Sequence, residues 1–140
     1  MKLIKEAMAN RVKLVHPQDT VADAAATMKE FGVGILPVAE GDKLVGALTD
    51  RDIVVRGVAD KMNLNDTRVG DVMTHDVDVC YEDQTIDEVA QTMKNDQIRR
   101  VVVVNRDDQL AGVISLGDLA GHTKVETSGE VLRKISKPSA

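Results

Sequence analysis

The stretch Gly46-Ala47-Leu48-Thr49-Asp50-Arg51-Asp52 occurs a second time, with changes, as Gly112-Val113-Ile114-Ser115-Leu116-Gly117-Asp118. Each copy begins in an apolar run typical of a strand and places a hydroxyl three residues before a carboxylate. That spacing is typical of a helix start, in which both side chains bind free backbone N–H groups. The same two groups also suit a ligand, so the motif alone leaves both interpretations open.

The sequence around the two copies repeats as well. Ile4 aligns with Val69 at an offset of 65 residues, and after one insertion near Asp108 the offset becomes 66. Such a duplication indicates two copies of one supersecondary unit. We therefore expect four parts: a first unit at 1–62, a linker at 63–68, a second unit at 69–122, and a tail at 123–140 with a short helix after Thr127.

Hydrophobic periodicity predicts the order strand, helix, strand, strand, helix in each unit. The expected strands are 12–15, 33–39 and 43–48 in the first unit, and 77–80, 98–104 and 109–114 in the second. A helix follows Thr20 and another follows Thr85, with apolar side chains at helical spacing: Val21, Ala24, Ala25 and Met28, then Ile86, Val89, Ala90 and Met93. A last helix is expected from Asp50 towards Met62, and its counterpart near Leu116.

Composition excludes several functional classes. The chain has 140 residues, a net charge of −5, one Tyr, one Phe and no Trp. Nucleic-acid binding requires a basic stripe or stacked aromatic rings, so we expect no nucleic-acid partner. The sequence contains no run of about twenty apolar residues, so we expect no membrane partner and a cytoplasmic protein.

Metal ligation and catalysis find little support in the sequence. His16, His75 and His122 do not fall at metal-ligand spacing. Cys80 ends a predicted strand without an evident histidine partner, and we expect it to be a small buried hydrophobe. Asp50 and Asp52 are two residues apart on a predicted helix, so they do not face each other as a catalytic pair would. We expect no catalytic residue, no metal and no required cofactor.

The duplicated element order resembles a tandem cystathionine beta-synthase (CBS) domain pair of the stand-alone bacterial or archaeal type. Leu36-Pro37-Val38 and Asp71-Val72-Met73-Thr74 also fit that family, and the resemblance covers residues 4 to about 121. It implies an α/β fold of two β-α-β-β-α units, related by a pseudo-two-fold axis and packed through their sheets. It also implies a regulatory module that binds an adenosine-containing nucleotide (AMP, ADP or ATP, or NAD or S-adenosylmethionine) between its units and signals by conformational change.

The resemblance assigns expected roles to particular residues. Asp52 with Thr49, and Asp118 with Ser115, would hold ribose or phosphate. Because each cleft in the family combines the aspartate of one unit with the second strand of the other, Arg99 or Arg100 would serve the Asp52 cleft, which we expect to be the stronger phosphate binder. The Asp118 cleft would face Gly34 and Ile35, and aliphatic side chains would hold the adenine. Alternatively, the two arginines only limit aggregation of an apolar strand.

Partners follow from the same resemblance. We expect a homodimer, because two predicted helices have more apolar surface than one small sheet can cover; they carry Val21, Ala24 and Met28, and Ile53, Val54 and Val58. With no effector domain within these 140 residues, a separate effector protein would read the bound state, or the chain would act as a free sensor or nucleotide buffer. Two alternatives remain open: an interaction module with empty clefts, and an enzyme acting on nucleotides.

Overall fold

A computed structural model describes residues 2–8, 13–120 and 135, and it divides the chain into two compact units. Unit A is Lys13–Val77, and unit B combines Met1–Val12 with Asp78–Ala140. The helix expected after Thr127 lies outside the described residues. Both units mix helices and strands, as the sequence predicts.

Unit A contains a two-stranded antiparallel sheet with helices around it. Its elements are α2 (Val21–Phe31), β1 (Ile35–Glu40), β2 (Lys43–Thr49), α3 (Asp50–Asp52), a π-helix (Ile53–Val58) and α4 (Val69–Val72). The turn between β1 and β2 uses Gly41 at φ 64, a conformation that glycine adopts at little cost. Val15 extends the sheet with a parallel bridge to Val38, and Thr74 extends it with an antiparallel bridge to Ala47.

Unit B repeats this arrangement, but a three-residue strand takes the place of the single bridging residue Val15. Its elements are α1 (Ile4–Ala7), β3 (Val79–Tyr81), α5 (Ile86–Asp96), β4 (Arg100–Val104), β5 (Leu110–Ser115) and α6 (Leu116–Ala120). The sheet order is β3-β4-β5, with β3 parallel and β5 antiparallel to β4. The apolar run Val101–Val104 is buried throughout, as its unbroken hydrophobicity predicts.

The two long helices begin and end where local chemistry dictates. Thr20 and Thr85 cap α2 and α5 by accepting backbone N–H groups three residues on. Each helix ends at a left-handed residue, Gly32 and Gln97. The predicted apolar faces lie against the cores of their own units; the buried members are Val21, Ala24 and Met28 in α2, and Ile86, Val89, Ala90 and Met93 in α5.

The compact units differ from the repeats of the sequence, because each repeat's leading segment packs on the other repeat. Ile4 is fully buried in the core of unit B, and its N–H donates to the Gln84 carbonyl at 2.8 Å. Val69 is its counterpart in unit A, with its N–H 2.8 Å from the Asp19 carbonyl.

The segment 63–68, expected to be a linker, lies within unit A. The Leu64 and Thr67 carbonyls accept the N–H groups of Ala22 and Val21, which α2 itself leaves without helical partners. Leu64 also packs against the core of unit A. The segment therefore closes the first turn of α2.

Two predicted elements differ from the structure. The predicted strand 12–15 is reduced to one bridging residue among those described, because Val15 alone bonds to β1 before His16-Pro17 turns the chain. The helix expected from Asp50 to Met62 is instead one α-turn followed by the π-helix, with Ala59 N–H bonding to the Val54 carbonyl. The wider turn places Gly57 against Leu64, where an added Cβ would lie 3.0 Å from the Leu64 side chain.

Candidate functional site

The two signature turns form the same local structure. In unit A the Thr49 N–H donates to Asp52 Oδ2 at 2.9 Å, and the Asp52 N–H donates to Thr49 Oγ1 at 3.1 Å. In unit B the Ser115 N–H donates to Asp118 Oδ2, and the Asp118 N–H to Ser115 Oγ, at the same two distances. Each turn is thus a reciprocal helix cap that fixes one carboxylate oxygen.

Burial distinguishes the two turns. Asp52 is 7% exposed and is the one buried polar or charged residue among those described, whereas Asp118 is exposed. Thr74, from the segment after α4, donates its hydroxyl to the Asp52 carboxylate, at 3.1 Å from Oδ1 and 3.2 Å from Oδ2. The buried carboxylate therefore has a second donor from outside its own turn.

Arg56, on the π-helix, is the nearest cation to this carboxylate in the described residues. Its Nη1 lies 3.8 Å from Asp52 Oδ1 and donates to the carbonyls of Val72 and Met73 at 3.2 and 2.9 Å. Sequence reasoning did not select Arg56 or Thr74 as site residues. The i, i+4 spacing of Asp52 and Arg56 was an available signal. Thr74 ends the stretch Asp71-Val72-Met73-Thr74 quoted for the family resemblance, but nothing in that stretch indicates a bond to Asp52.

The strand starts that were expected to contact a ligand lie beside the signature turn of their own unit. In unit B, Arg100 pairs with Ser115, and the Arg99 carbonyl accepts the Leu116 N–H at 2.7 Å. In unit A, Ile35 pairs with Thr49, and the Gly34 carbonyl accepts the Asp50 N–H at 3.0 Å. Arg99 and Arg100 are both exposed, while Gly34 and Ile35 are half-buried.

Cys80 is 1% exposed, in agreement with the buried hydrophobe that the sequence predicts. Burial raises the pKa of its thiol to about 11, against a smaller lowering by the Thr92 side chain. The thiolate is the nucleophile and metal ligand, so at neutral pH this side chain is an uncharged core group. Within the described part of the chain, no three His, Cys, Asp or Glu side chains are grouped as a metal site. None of the described helices has the length and hydropathy of a membrane span.

The repeated fold and paired capped turns define a class: small proteins that carry a duplicated α/β module. The chain matches the CBS domain over residues 4–58 and again over residues 69–123, and it belongs to the CBS domain family. It is 36% identical over 137 residues to CBS domain-containing protein YhcV of Bacillus subtilis, covering 97% of this chain and 96% of that protein. It is also 30% identical to Hypoxic response protein 1 of Mycobacterium tuberculosis over 141 residues, covering 100% and 98%.

Similar solved structures support the same family. The crystal structure of Hypoxic Response Protein I with two coordinated zinc ions has a TM-score of 0.78 and 31% identity, covering 88% of this chain and all of that chain. The CBS domain pair of protein MJ0100, in complex with 5′-methylthioadenosine and S-adenosyl-L-methionine, has a TM-score of 0.75 and 25% identity, covering 86% and 98%. CBSX2 in complex with AMP has the same score and identity, covering 86% and 95%.

Proposed function

We propose that this chain is a regulatory module that binds an adenosine-containing nucleotide through its two signature turns and acts without catalysis. The observation that carries the proposal is the duplicated cap, which holds Asp52 and Asp118 in the same local geometry. Two related structures contain adenosyl ligands, AMP in CBSX2 and S-adenosyl-L-methionine in MJ0100. The bound nucleotide would be a regulatory ligand, read by a separate effector protein.

The chemistry of the cap suits a ribose. A carboxylate offers about four lone-pair positions, and the cap's N–H donor uses one of them. The remaining positions could accept the two hydroxyls of a cis-diol, as acidic residues do in dinucleotide sites. Thr49 and Ser115 would orient the carboxylates and lie near the sugar.

Phosphate and adenine would be held by other parts of the two units. Arg99 and Arg100 are exposed guanidinium groups, and their planar donors match phosphate oxygens. The chain has two aromatic residues in all, so the adenine would pack on aliphatic side chains such as Ile35 and on backbone. Adenosine without phosphate would therefore bind without help from the arginines.

Thermal unfolding with AMP, ADP, ATP, NAD and S-adenosylmethionine tests the proposal. A ligand present at a hundred times its dissociation constant should add about 2.7 kcal/mol to the free energy of unfolding, which raises the melting temperature measurably. GMP is the matched control for recognition of the adenine, because it keeps the ribose and the phosphate of AMP. If none of the five ligands shifts the transition, the chain is an interaction module without a nucleotide. Steady conversion of bound ATP would instead indicate an enzyme.

Calorimetry on variants tests which residues bind the sugar and which bind the phosphate. Asp118→Asn keeps the side-chain shape but leaves one carbonyl oxygen, which the cap N–H already occupies, so the affinity of its binding event should fall about tenfold. Replacing Arg99 and Arg100 together with alanine should weaken ATP binding more than adenosine binding. Equal losses for the two ligands would remove the arginines from the phosphate role and leave them as solvated charges.

We also propose that the chain forms a homodimer, through the part of the expected apolar surface that the structure leaves exposed. Val21, Ala24, Met28 and Ile53 are buried within unit A, so these residues do not contribute an exposed face. The π-helix instead exposes Val54, Val55 and Val58 at 58, 47 and 56%. Exposed apolar side chains in a contiguous segment are typical of an interaction surface.

Sedimentation velocity tests the homodimer. The unmodified chain should sediment as a dimer, and the double change Val54→Lys, Val58→Lys should yield monomers, because two charges would have to be buried at the interface. Leu14→Lys is the control, since Leu14 is an exposed apolar residue elsewhere in unit A. A dimer that survives the double change would exclude the π-helix as its interface.

A further inference from the structure

The Asp52 carboxylate is held from two directions, although its cap is the same as that of Asp118. Its Oδ2 accepts the Thr49 N–H within the turn, and the Thr74 hydroxyl donates to both oxygens from a segment 22 residues away. Asp118 has the cap bond from Ser115, and no second donor to it is found among the described residues. A second donor restricts rotation of the carboxylate about its side-chain bonds.

The Thr74 hydroxyl is itself fixed by the backbone that carries it. Thr74 and Ala47 exchange two backbone hydrogen bonds, of 2.8 and 3.0 Å, which make the Met73–Thr74 segment an added strand beside β2. Gly46 permits this approach, because a Cβ there would lie 2.6 Å from the Thr74 carbonyl oxygen. Arg56 ties the same segment to the π-helix through the carbonyls of Val72 and Met73.

The fixed hydroxyl leaves the carboxylate able to bind a ligand. The carboxylate has about four lone-pair positions and receives two donor protons, one from the Thr49 N–H and one from the Thr74 hydroxyl, which both oxygens share. About half of its acceptor capacity therefore remains for the hydroxyls of a cis-diol. The Asp52 side chain is 9% exposed, so it is largely shielded from water. Hydrogen bonds made in such a shielded place are stronger than those made in water.

We propose that Thr74 is a positioning residue, which presets the Asp52 carboxylate to receive the two ribose hydroxyls of a nucleotide. This inference rests on the proposed nucleotide binding and deepens it by distinguishing the two aspartates. Preorganisation lowers the cost of ordering a side chain when the ligand binds. The Asp52 binding event should therefore discriminate between ribose and 2′-deoxyribose more strongly than the Asp118 event, whose carboxylate is held, within the described part of the chain, by its cap.

The test uses calorimetry with AMP and 2′-deoxy-AMP on the full chain carrying Asp118→Asn, which weakens the other event so that the tighter binding reports on Asp52. Thr74→Val keeps the side-chain shape and removes the hydroxyl. It should weaken AMP binding by up to about tenfold, because the freed carboxylate would have to be ordered when the ligand binds. It should also bring the two dissociation constants closer together, because an unfixed carboxylate recognises the diol less well. Thr74→Ser restores the donor and should restore both values.

The outcomes separate the two proposals. No binding of AMP by the unmodified chain overturns the nucleotide proposal and this inference with it. Binding by the unmodified chain together with unchanged constants in Thr74→Val overturns the positioning role alone. A purely structural role would lower the melting temperature of Thr74→Val but leave the ratio of the two dissociation constants unchanged. Should Thr74→Val fail to fold, Thr74→Ala supplies the same comparison with a smaller side chain.

Discussion

Replacing Asp52 by alanine should lower the free energy of unfolding by about 2–4 kcal/mol, because the change removes the acceptor of several partly buried donors. The Thr49 N–H and the Thr74 hydroxyl would lose their partner, and the Arg56 guanidinium would lose the nearest carboxylate in the described residues. Urea unfolding followed by circular dichroism measures the loss, with the slope of the transition as a check on two-state behaviour.

Asp118→Ala is the matched control, since Asp118 has the same cap but is exposed. Loss of a cap at an exposed helix start costs about 1 kcal/mol, so this change should cost much less than Asp52→Ala. Equal losses from the two changes would mean that the Thr74 hydroxyl adds nothing to stability. A third variant, Thr74→Val, should then be as stable as the unmodified chain.

Replacing Gly46 by alanine should cost roughly 2 kcal/mol, although the change adds one methyl group. The new Cβ would lie 2.6 Å from the Thr74 carbonyl oxygen and 3.1 Å from the Met73 sulfur. The methionine side chain can move aside. The carbonyl cannot move freely, because the N–H and the carbonyl of Thr74 both form hydrogen bonds with the backbone of Ala47. The Met73–Thr74 segment would have to shift, and the Thr74 hydroxyl would move away from Asp52.

Gly117→Ala, in unit B, should have the opposite effect on stability. Its Cβ would meet the Ser115 hydroxyl oxygen at 3.6 Å, an ordinary contact. Because Gly117 lies within α6, alanine should stabilise the chain by up to about 1 kcal/mol through the unfolded state and helix propensity. Thermal unfolding of both variants makes the comparison, and a Gly46→Ala chain as stable as Gly117→Ala would contradict the close approach of Thr74.

Features encoded locally could be predicted from the sequence. Thr20 and Thr85 each precede an apolar stripe at helical spacing, so the starts and buried faces of α2 and α5 follow from capping and periodicity. The same holds for the signature turns, whose hydroxyl and carboxylate lie three residues apart. Duplication of the pattern extended these local inferences to nearly the whole fold.

Features that depend on distant contacts could not be predicted. The π-helix has an apolar pattern compatible with an α-helix, and the contact of Gly57 with Leu64 that accompanies its wider turn joins residues seven positions apart. The role of Thr74 depends on a bridge to Ala47, 27 residues earlier in the chain. Burial of Ile53 also required the tertiary fold, because periodicity shows which residues share a face but not what covers it.

The start of each repeat packs in the unit formed mainly by the other repeat. This arrangement determines the order in which the two units can be completed during synthesis. Unit A is one continuous stretch, Lys13–Val77, so all of its contacts are available before the residues beyond Val77 are made. Unit B must wait, because Ile4 bonds to Gln84, 80 residues later. Closing so long a loop lowers the entropy of the chain before the contacts that compensate for this loss are made. Unit B should therefore form more slowly than unit A. Until then the apolar side chain of Ile4 lacks the core that buries it in the finished protein, and such exposed apolar surface favours aggregation.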